Sequence, residues 1–152
     1  MFRGITEINL DNKGRVSIPV RYRERLQADC EGKLVVTIDT DVNCLLLYPL
    51  PEWELIEEKV QALPSFNRAA RRIQRLLMGH ATELEVDGNG RILLPPLLRD
   101  YAHLEKEIML VGQGKKFEIW SKHHWEQGRD TWLNESGDEI SELPEGMKEL
   151  AL

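Results

Sequence analysis

The chain has 152 residues, 41% of them hydrophobic and 30% charged, with a formal net charge of −6. That length suits one domain or two fused half-size units, and the balance is that of a soluble globular protein. No apolar run approaches the ~20 residues that a membrane helix needs, and Glu7 stands where an export signal would need its apolar stretch, so a cytoplasmic protein with no membrane partner is expected.

Taken in chain order, the elements repeat. An apolar strand over residues 5–10 leads into a glycine-containing turn, a short strand ending in Pro19, and a brief helix with Tyr22 and Leu26 at i and i+4. Two strands, 34–38 and 45–48, form a hairpin. After Pro49 and Pro51 a helix is expected, with Trp53, Ile56, Val60 and Leu63 spaced by three and four. A further helix over 67–78 presents Ala70, Ile73, Leu76 and Leu77 on one face and stops at Gly79. The pattern then restarts: a strand over 82–86, a turn, a short strand to Pro95, a helix with Leu98 and Ala102, a hairpin from 108–111 and 117–120, and a helix with Trp125 and Trp132. Asp11, Gly14, Arg15, Pro19 and Arg23 recur 76 residues later as Asp87, Gly90, Arg91, Pro95 and Arg99. Further along the offset is 72, with Leu47, Tyr48, Trp53 and Glu54 matched by Ile119, Trp120, Trp125 and Glu126, because the second hairpin has a shorter loop. The resulting division is 1–64 for the first repeat, 65–79 for the linker helix, 80–134 for the second repeat and 135–152 for an acidic tail. Neither repeat alone would bury its strands well.

The recurring Asp-x-x-Gly-Arg turn is the most specific feature. Asp11 and Asp87 can accept backbone N–H groups, Gly14 and Gly90 can supply the positive φ of a tight reversal, and the aspartate can pair with the arginine four residues on. Such an arginine either closes the turn or is held out for a phosphate or a guanine edge. Charge separates the copies. Residues 1–25 carry six bases, Arg3, Lys13, Arg15, Arg21, Arg23 and Arg25, against three acids, whereas residues 77–101 carry two bases against four acids. Double-stranded DNA would be drawn to the first copy and repelled by the second. Lys13 and Arg15 are therefore the expected contact residues, with Arg3, Arg21, Arg23 and Arg25 as supporting field. Asp11, Gly14, Asp87, Gly90 and Arg91 are expected to be structural turn residues, or in the second copy to serve contacts between subunits.

The segments Phe2-Arg3-Gly4, Asn9-Leu10-Asp11, Lys13-Gly14-Arg15, Ile18-Pro19, Arg21-Tyr22-Arg23, the run 45–49, Arg71-Arg72 with Arg75, Gly79-His80-Ala81, Asp87-Gly88 and Gly90-Arg91 resemble the MraZ family over nearly the whole chain. The resemblance implies a mixed α+β, β-rich fold. It would have two tandem AbrB/MazE-like swapped-hairpin units in a pseudo-two-fold β core with flanking helices. It also implies a ring homo-oligomer and a nucleoid-associated transcriptional regulator of the division and cell-wall gene cluster that binds upstream direct repeats, with repression the simpler expectation. Only the tail falls outside it.

Residues 126–152 hold eight acids and two bases, so the rest of the chain is neutral. The linker arginines Arg68, Arg71, Arg72 and Arg75 form either a second DNA surface or, more simply, pairs with Glu54, Glu57 or Glu58. Cys30 and Cys44 read as small buried hydrophobes rather than a disulfide. Trp53 and Trp125 read as packing anchors. His80, His103, His123 and His124 lack metal-ligand spacing with cysteine, and neither a phosphate loop nor a nucleophile with an adjacent base is present, so no catalysis, metal, cofactor or small-molecule substrate is expected. The rival to a DNA regulator is an antitoxin-like or scaffold protein that binds another protein through the same hairpins.

Overall fold

A computed structural model describes residues 1–135 and Pro144. Its first repeat comprises β1 (Phe2–Asn9), β2 (Arg15–Ser17), α1 (Val20–Cys30), β3 (Lys33–Ile38), β4 (Leu45–Pro49) and α2 (Leu50–Gln61). The linker is α3 (Arg68–Ile73), continued by a π-helical turn over Gln74–Met78. The second repeat comprises β5 (Thr82–Glu85), β6 (Arg91–Leu93), α4 (Pro96–Tyr101), β7 (Glu107–Gly114), β8 (Phe117–Ser121) and α5 (Lys122–Asn134). The expected acidic tail lies, apart from Glu135 and Pro144, outside the described residues.

The repeats exchange strands. One antiparallel sheet runs β1-β7-β8-β4-β3-β5, so the first copy's leading strand pairs with the second copy's hairpin and the reverse holds for β5. A second, two-stranded sheet joins β2 to β6. Residues related by the repeat meet across both junctions: Val16 faces Ile92 in the small sheet and Leu46 faces Glu118 in the large one, which marks the pseudo-two-fold axis. The swapped, β-rich fold class implied by the family resemblance is therefore the one adopted.

Burial explains the exchange. Strand alternation puts Leu34, Val36, Ile38, Leu45, Leu47, Ile108, Leu110, Phe117 and Ile119 on one sheet face, in a cluster with Val16, Ile18, Ile92 and Leu94 and with Tyr22, Leu26 and Leu98 from α1 and α4. Eleven buried members of this cluster come from the first copy and eight from the second. With each buried aliphatic or aromatic side chain contributing about 1.5–3 kcal/mol, separating the copies would remove most of the core. On the other face, Leu46 and Tyr48 meet Trp53 of α2 and Leu77 and Met78 of the linker, while Cys44 meets Val111, Trp120 and Trp125 of α5. Cys30 and Cys44 are buried free thiols, and Trp53 packs in the core with its indole N–H donated to Glu57 (2.8 Å).

Local signals set the helix ends. Pro19 and Pro49 precede α1 and α2 with extended backbone, Asn67 and Ser121 accept N–H bonds from Ala70 and His124, and α1 stops where Glu31 and Gly32 take positive φ. Gly79 ends the linker as expected, without a left-handed cap. Its φ is −62°, and a Cβ there would lie 2.1 Å from the Arg75 carbonyl oxygen, because the π-turn brings the two backbones together.

Candidate nucleic-acid interface

The Asp-x-x-Gly-Arg turn of the first copy is closed by four bonds around one carboxylate and one carbonyl. Asp11 Oδ1 accepts the backbone N–H groups of Lys13 (2.9 Å) and Arg15 (2.8 Å), Oδ2 accepts Arg15 Nε (2.8 Å), and the Asp11 carbonyl accepts Gly14 N–H (3.1 Å). Gly14 has φ +86°, as the reversal requires. The Arg15 backbone N–H, then its side chain and the Lys13 N–H, hold the Asp11 carboxyl down at about 2, so the pair stays ionised at neutral pH. With Nε committed, the guanidinium is oriented from behind while its side chain remains 29% exposed, which leaves terminal nitrogens to meet an acceptor from outside.

The second copy builds the same turn less tightly. Asp87 Oδ1 accepts N–H from Asn89 (2.8 Å) and Arg91 (3.0 Å), which lowers its pKa, but Arg91 Nε stands 3.6 Å from Oδ2 and is buried without a hydrogen-bond partner among the described residues.

Strand alternation combines the turns into one surface. In the β2–β6 ribbon Val16 and Ile92 point into the core at 1% exposure, and the intervening residues Arg15, Ser17, Arg91 and Leu93 share the outward face, Arg15 opposite Leu93 and Ser17 opposite Arg91. Leu93 is 56% exposed. A two-stranded antiparallel ribbon is one of the shapes that a DNA major groove admits.

Of the other expected residues, Lys13 is exposed at the turn's tip. Arg23 is used differently: its Nε donates to the Ile18 carbonyl (2.7 Å), and its guanidinium lies where a Cβ on Gly90 would fall, only 2.2 Å away. Arg99 mirrors it, donating to Leu94 O (3.0 Å) and covering Gly14. Each copy's arginine thus packs on the other copy's turn glycine, while Ile18 N–H bonds Gly90 O and Leu94 N–H bonds Gly14 O. Arg3, Arg21 and Arg25 gather along β1 and α1 rather than on the ribbon. Tyr22 donates to the Arg3 carbonyl, Arg21 to Thr6 (2.5 Å), and Arg25 to the Met1 carbonyl while stacking 4.3 Å over Phe2. Sequence reasoning passed over Ser17, Leu93 and Arg99. The recurrence of Arg23 as Arg99 was the available sign that these arginines serve the fold.

The expected pairs between linker arginines and Glu54, Glu57 or Glu58 are absent among the described residues. Glu57 instead accepts the Trp53 indole, and Arg72 reaches the Thr40 carbonyl at 3.5 Å. Asp39, Cys44 and Glu118 place ligand-type atoms within 4.8 Å of one another. Burial pushes the Cys44 thiol far up, and the carboxylates already accept the Asp41, Val42 and Trp120 N–H groups. The four histidines are apart from the ribbon, three of them, His103, His123 and His124, around an open cavity of about 500 Å³.

The family model described as "MraZ protein, putative antitoxin-like" matches residues 1–76 and again 77–142. The chain belongs to the MraZ family. Relatives named "Transcriptional regulator MraZ" are 57% identical in Legionella pneumophila (strain Corby), and 55% identical in Coxiella burnetii (strain RSA 493 / Nine Mile phase I) and Thioalkalivibrio sulfidiphilus (strain HL-EbGR7). Each match covers all 152 residues and the whole of the relative. Two successive MraZ matches agree with the tandem repeat, and the family is one of transcriptional regulators, not of enzymes. None of the helices among the described residues is long and apolar enough to cross a membrane.

Proposed function

We propose that this MraZ-family chain is a sequence-specific DNA-binding regulator that engages duplex DNA through the outward face of the β2–β6 ribbon. The observation that carries this reading is the Asp11-braced Arg15 guanidinium, fixed on a ribbon face and open to solvent. Arg15 reads a guanine edge or its neighbouring phosphate, Lys13 neutralises phosphate, and Arg3 and Arg21 add positive field from the β1 side. Arg23 and Arg99 hold the opposite turns in register. Arg91 contributes less to binding, because its turn is looser and the segment 77–101 that carries it also holds Glu83, Glu85 and Asp100.

One ribbon offers few contacts, so the reading includes a ring of several copies engaging direct repeats upstream of the division and cell-wall gene cluster, where occupancy would repress transcription. Support for assembly comes from the two sheet edges, β1 and β5, which are unpaired among the described residues, and from exposed Ile5 on β1. The protein would then be found in the cytoplasm on the nucleoid.

The test is binding of the purified protein to the DNA upstream of its own gene across a salt series. A DNA regulator loses affinity steeply and linearly on a log–log plot, with fewer released ions after Lys13→Ala. Absence of binding at low salt would leave the protein-binding scaffold as the function.

A further inference from the structure

The four linker arginines carry charge that the ribbon does not use. Residues 65–79 contain Arg68, Arg71, Arg72 and Arg75 and no acid. All four are exposed, and none is in an ion pair with an acid among the described residues. Arg68, Arg72 and Arg75 rim an open groove of about 630 Å³ whose floor is Ala69 and Leu76, and Phe66 beside it is 91% exposed. A basic rim over an apolar floor suits an acidic peptide with interspersed apolar side chains.

Such a peptide is supplied by the chain itself. Residues 135–152 carry Glu135, Asp138, Glu139, Glu142, Glu145 and Glu149 against the single base Lys148, and among them stand Ile140, Leu143, Met147, Leu150 and Leu152. We infer that this C-terminal segment docks on the linker helix of its own chain, its carboxylates on the arginine rim and its apolar residues on the groove floor.

Placement favours this occupant over DNA. Cys44, immediately before β4, and Leu46 and Tyr48 on it fall at alternate positions, where α5 packs by the first and the linker's Leu77 and Met78 pack by the others. The Thr40–Val42 loop connects the two, since Arg72 reaches the Thr40 carbonyl, and Val42 packs against the same cluster of Cys44, Val111 and Trp120 as Trp125 of α5 does. The segment therefore leaves α5 on the linker's side of the sheet, and its 18 residues span up to ~60 Å when extended. The ribbon packs through Val16 and Ile92 on the main cluster of the opposite face, against which the linker's Leu76 also rests. The ribbon's outward residues Arg15, Ser17, Arg91 and Leu93 are not among those that line the linker groove.

The test uses the full-length protein, unchanged and with Glu139→Gln, Glu142→Gln and Glu145→Gln together, and reads hydrogen exchange over residues 66–78 at low and high salt. Docking predicts at least ~3-fold faster linker exchange in the variant at low salt, the same acceleration for the unchanged protein at high salt, and no change in β3 and β4. In parallel, the Arg72→Lys variant, which keeps the charge, treated with a carbodiimide should form an amide between the introduced amine and a carboxylate of residues 135–149. Mixing labelled and unlabelled protein should show that the link is within one chain. Equal linker exchange in all samples, a cross-link only to other acids, or a cross-link only between chains would overturn the inference. So would linker protection that arises only when non-specific DNA is added.

Discussion

The two turns of this MraZ-family chain are one sequence motif in two mechanical states. In the first, Arg15 Nε sits 2.8 Å from Asp11 and the arginine is braced; in the second, Arg91 Nε stands 3.6 Å from Asp87 and has no hydrogen bond among the described residues. Backbone closure is nearly identical in both, with paired N–H bonds to the aspartate and positive φ at Gly14 and Gly90. The common part of the motif is therefore a fold device that positions a ribbon, and the variable part is how firmly each copy presents its arginine. Local charge follows the same division, since the braced arginine lies in the basic segment 1–25 and Arg91 in the acidic segment 77–101.

The comparison is broken most severely at the glycines. Gly90→Ala would force a positive φ on a residue with a Cβ and drive that atom to 2.2 Å from Arg23, and Gly14→Ala would do so at 2.6 Å from Arg99. Backbone strain alone is about 1–3 kcal/mol, so both variants should melt lower, Gly90→Ala by at least as much as Gly14→Ala, in thermal denaturation. An unchanged melting temperature would show that the turns are not rigid supports. Next come Arg23→Ala and Arg99→Ala, each losing a charged donor to a carbonyl, of order 1–2 kcal/mol. Their effects on stability should match, in keeping with mirrored roles at Gly90 and Gly14.

A smaller effect sharpens the comparison through pH. The Asp11 carboxyl, held at about 2 chiefly by the Arg15 N–H, contributes stability that is present in full above its ordinary value of 3.8 and is lost as pH falls through the folded value. Asp87 is lowered as well, without the 2.8 Å partner that Asp11 has. Asp11→Asn should therefore flatten the acid limb of the stability curve between about pH 4 and pH 2 more than Asp87→Asn does. Equal flattening would mean that the Arg15 side chain adds nothing to the brace.

The repeat, the hairpins and the turn chemistry were legible in sequence because each is local: Val16 and Ile18 alternate, Tyr22 and Leu26 sit one turn apart, and Gly14 follows an aspartate by three. The exchange of β1 and β5 between copies was not legible from spacing and entered only through family resemblance, since pairing Ile5 with Val111 depends on contacts about a hundred residues apart. For the same reason Arg23 read as one more surface cation, when its guanidinium is taken up against a glycine of the other copy. The linker arginines read as partners for α2 acids because the facing of two helices is a tertiary matter that spacing does not encode; in the fold Glu57 takes the Trp53 indole N–H and Arg72 turns to the Thr40 carbonyl. Ser17 and Leu93 carried no sequence signal of their own; they matter only because the ribbon places them beside Arg91 and Arg15.

The most direct test of unequal roles is to compare Arg15→Ala with Arg91→Ala, both confirmed folded by circular dichroism, for affinity to the upstream DNA at one low salt concentration. A braced guanidinium making a base contact predicts a loss of about 10- to 100-fold for Arg15→Ala, as expected for about 1–3 kcal/mol per contact, and only a few-fold change for Arg91→Ala. Equal losses, or a larger loss for Arg91→Ala, would contradict the account.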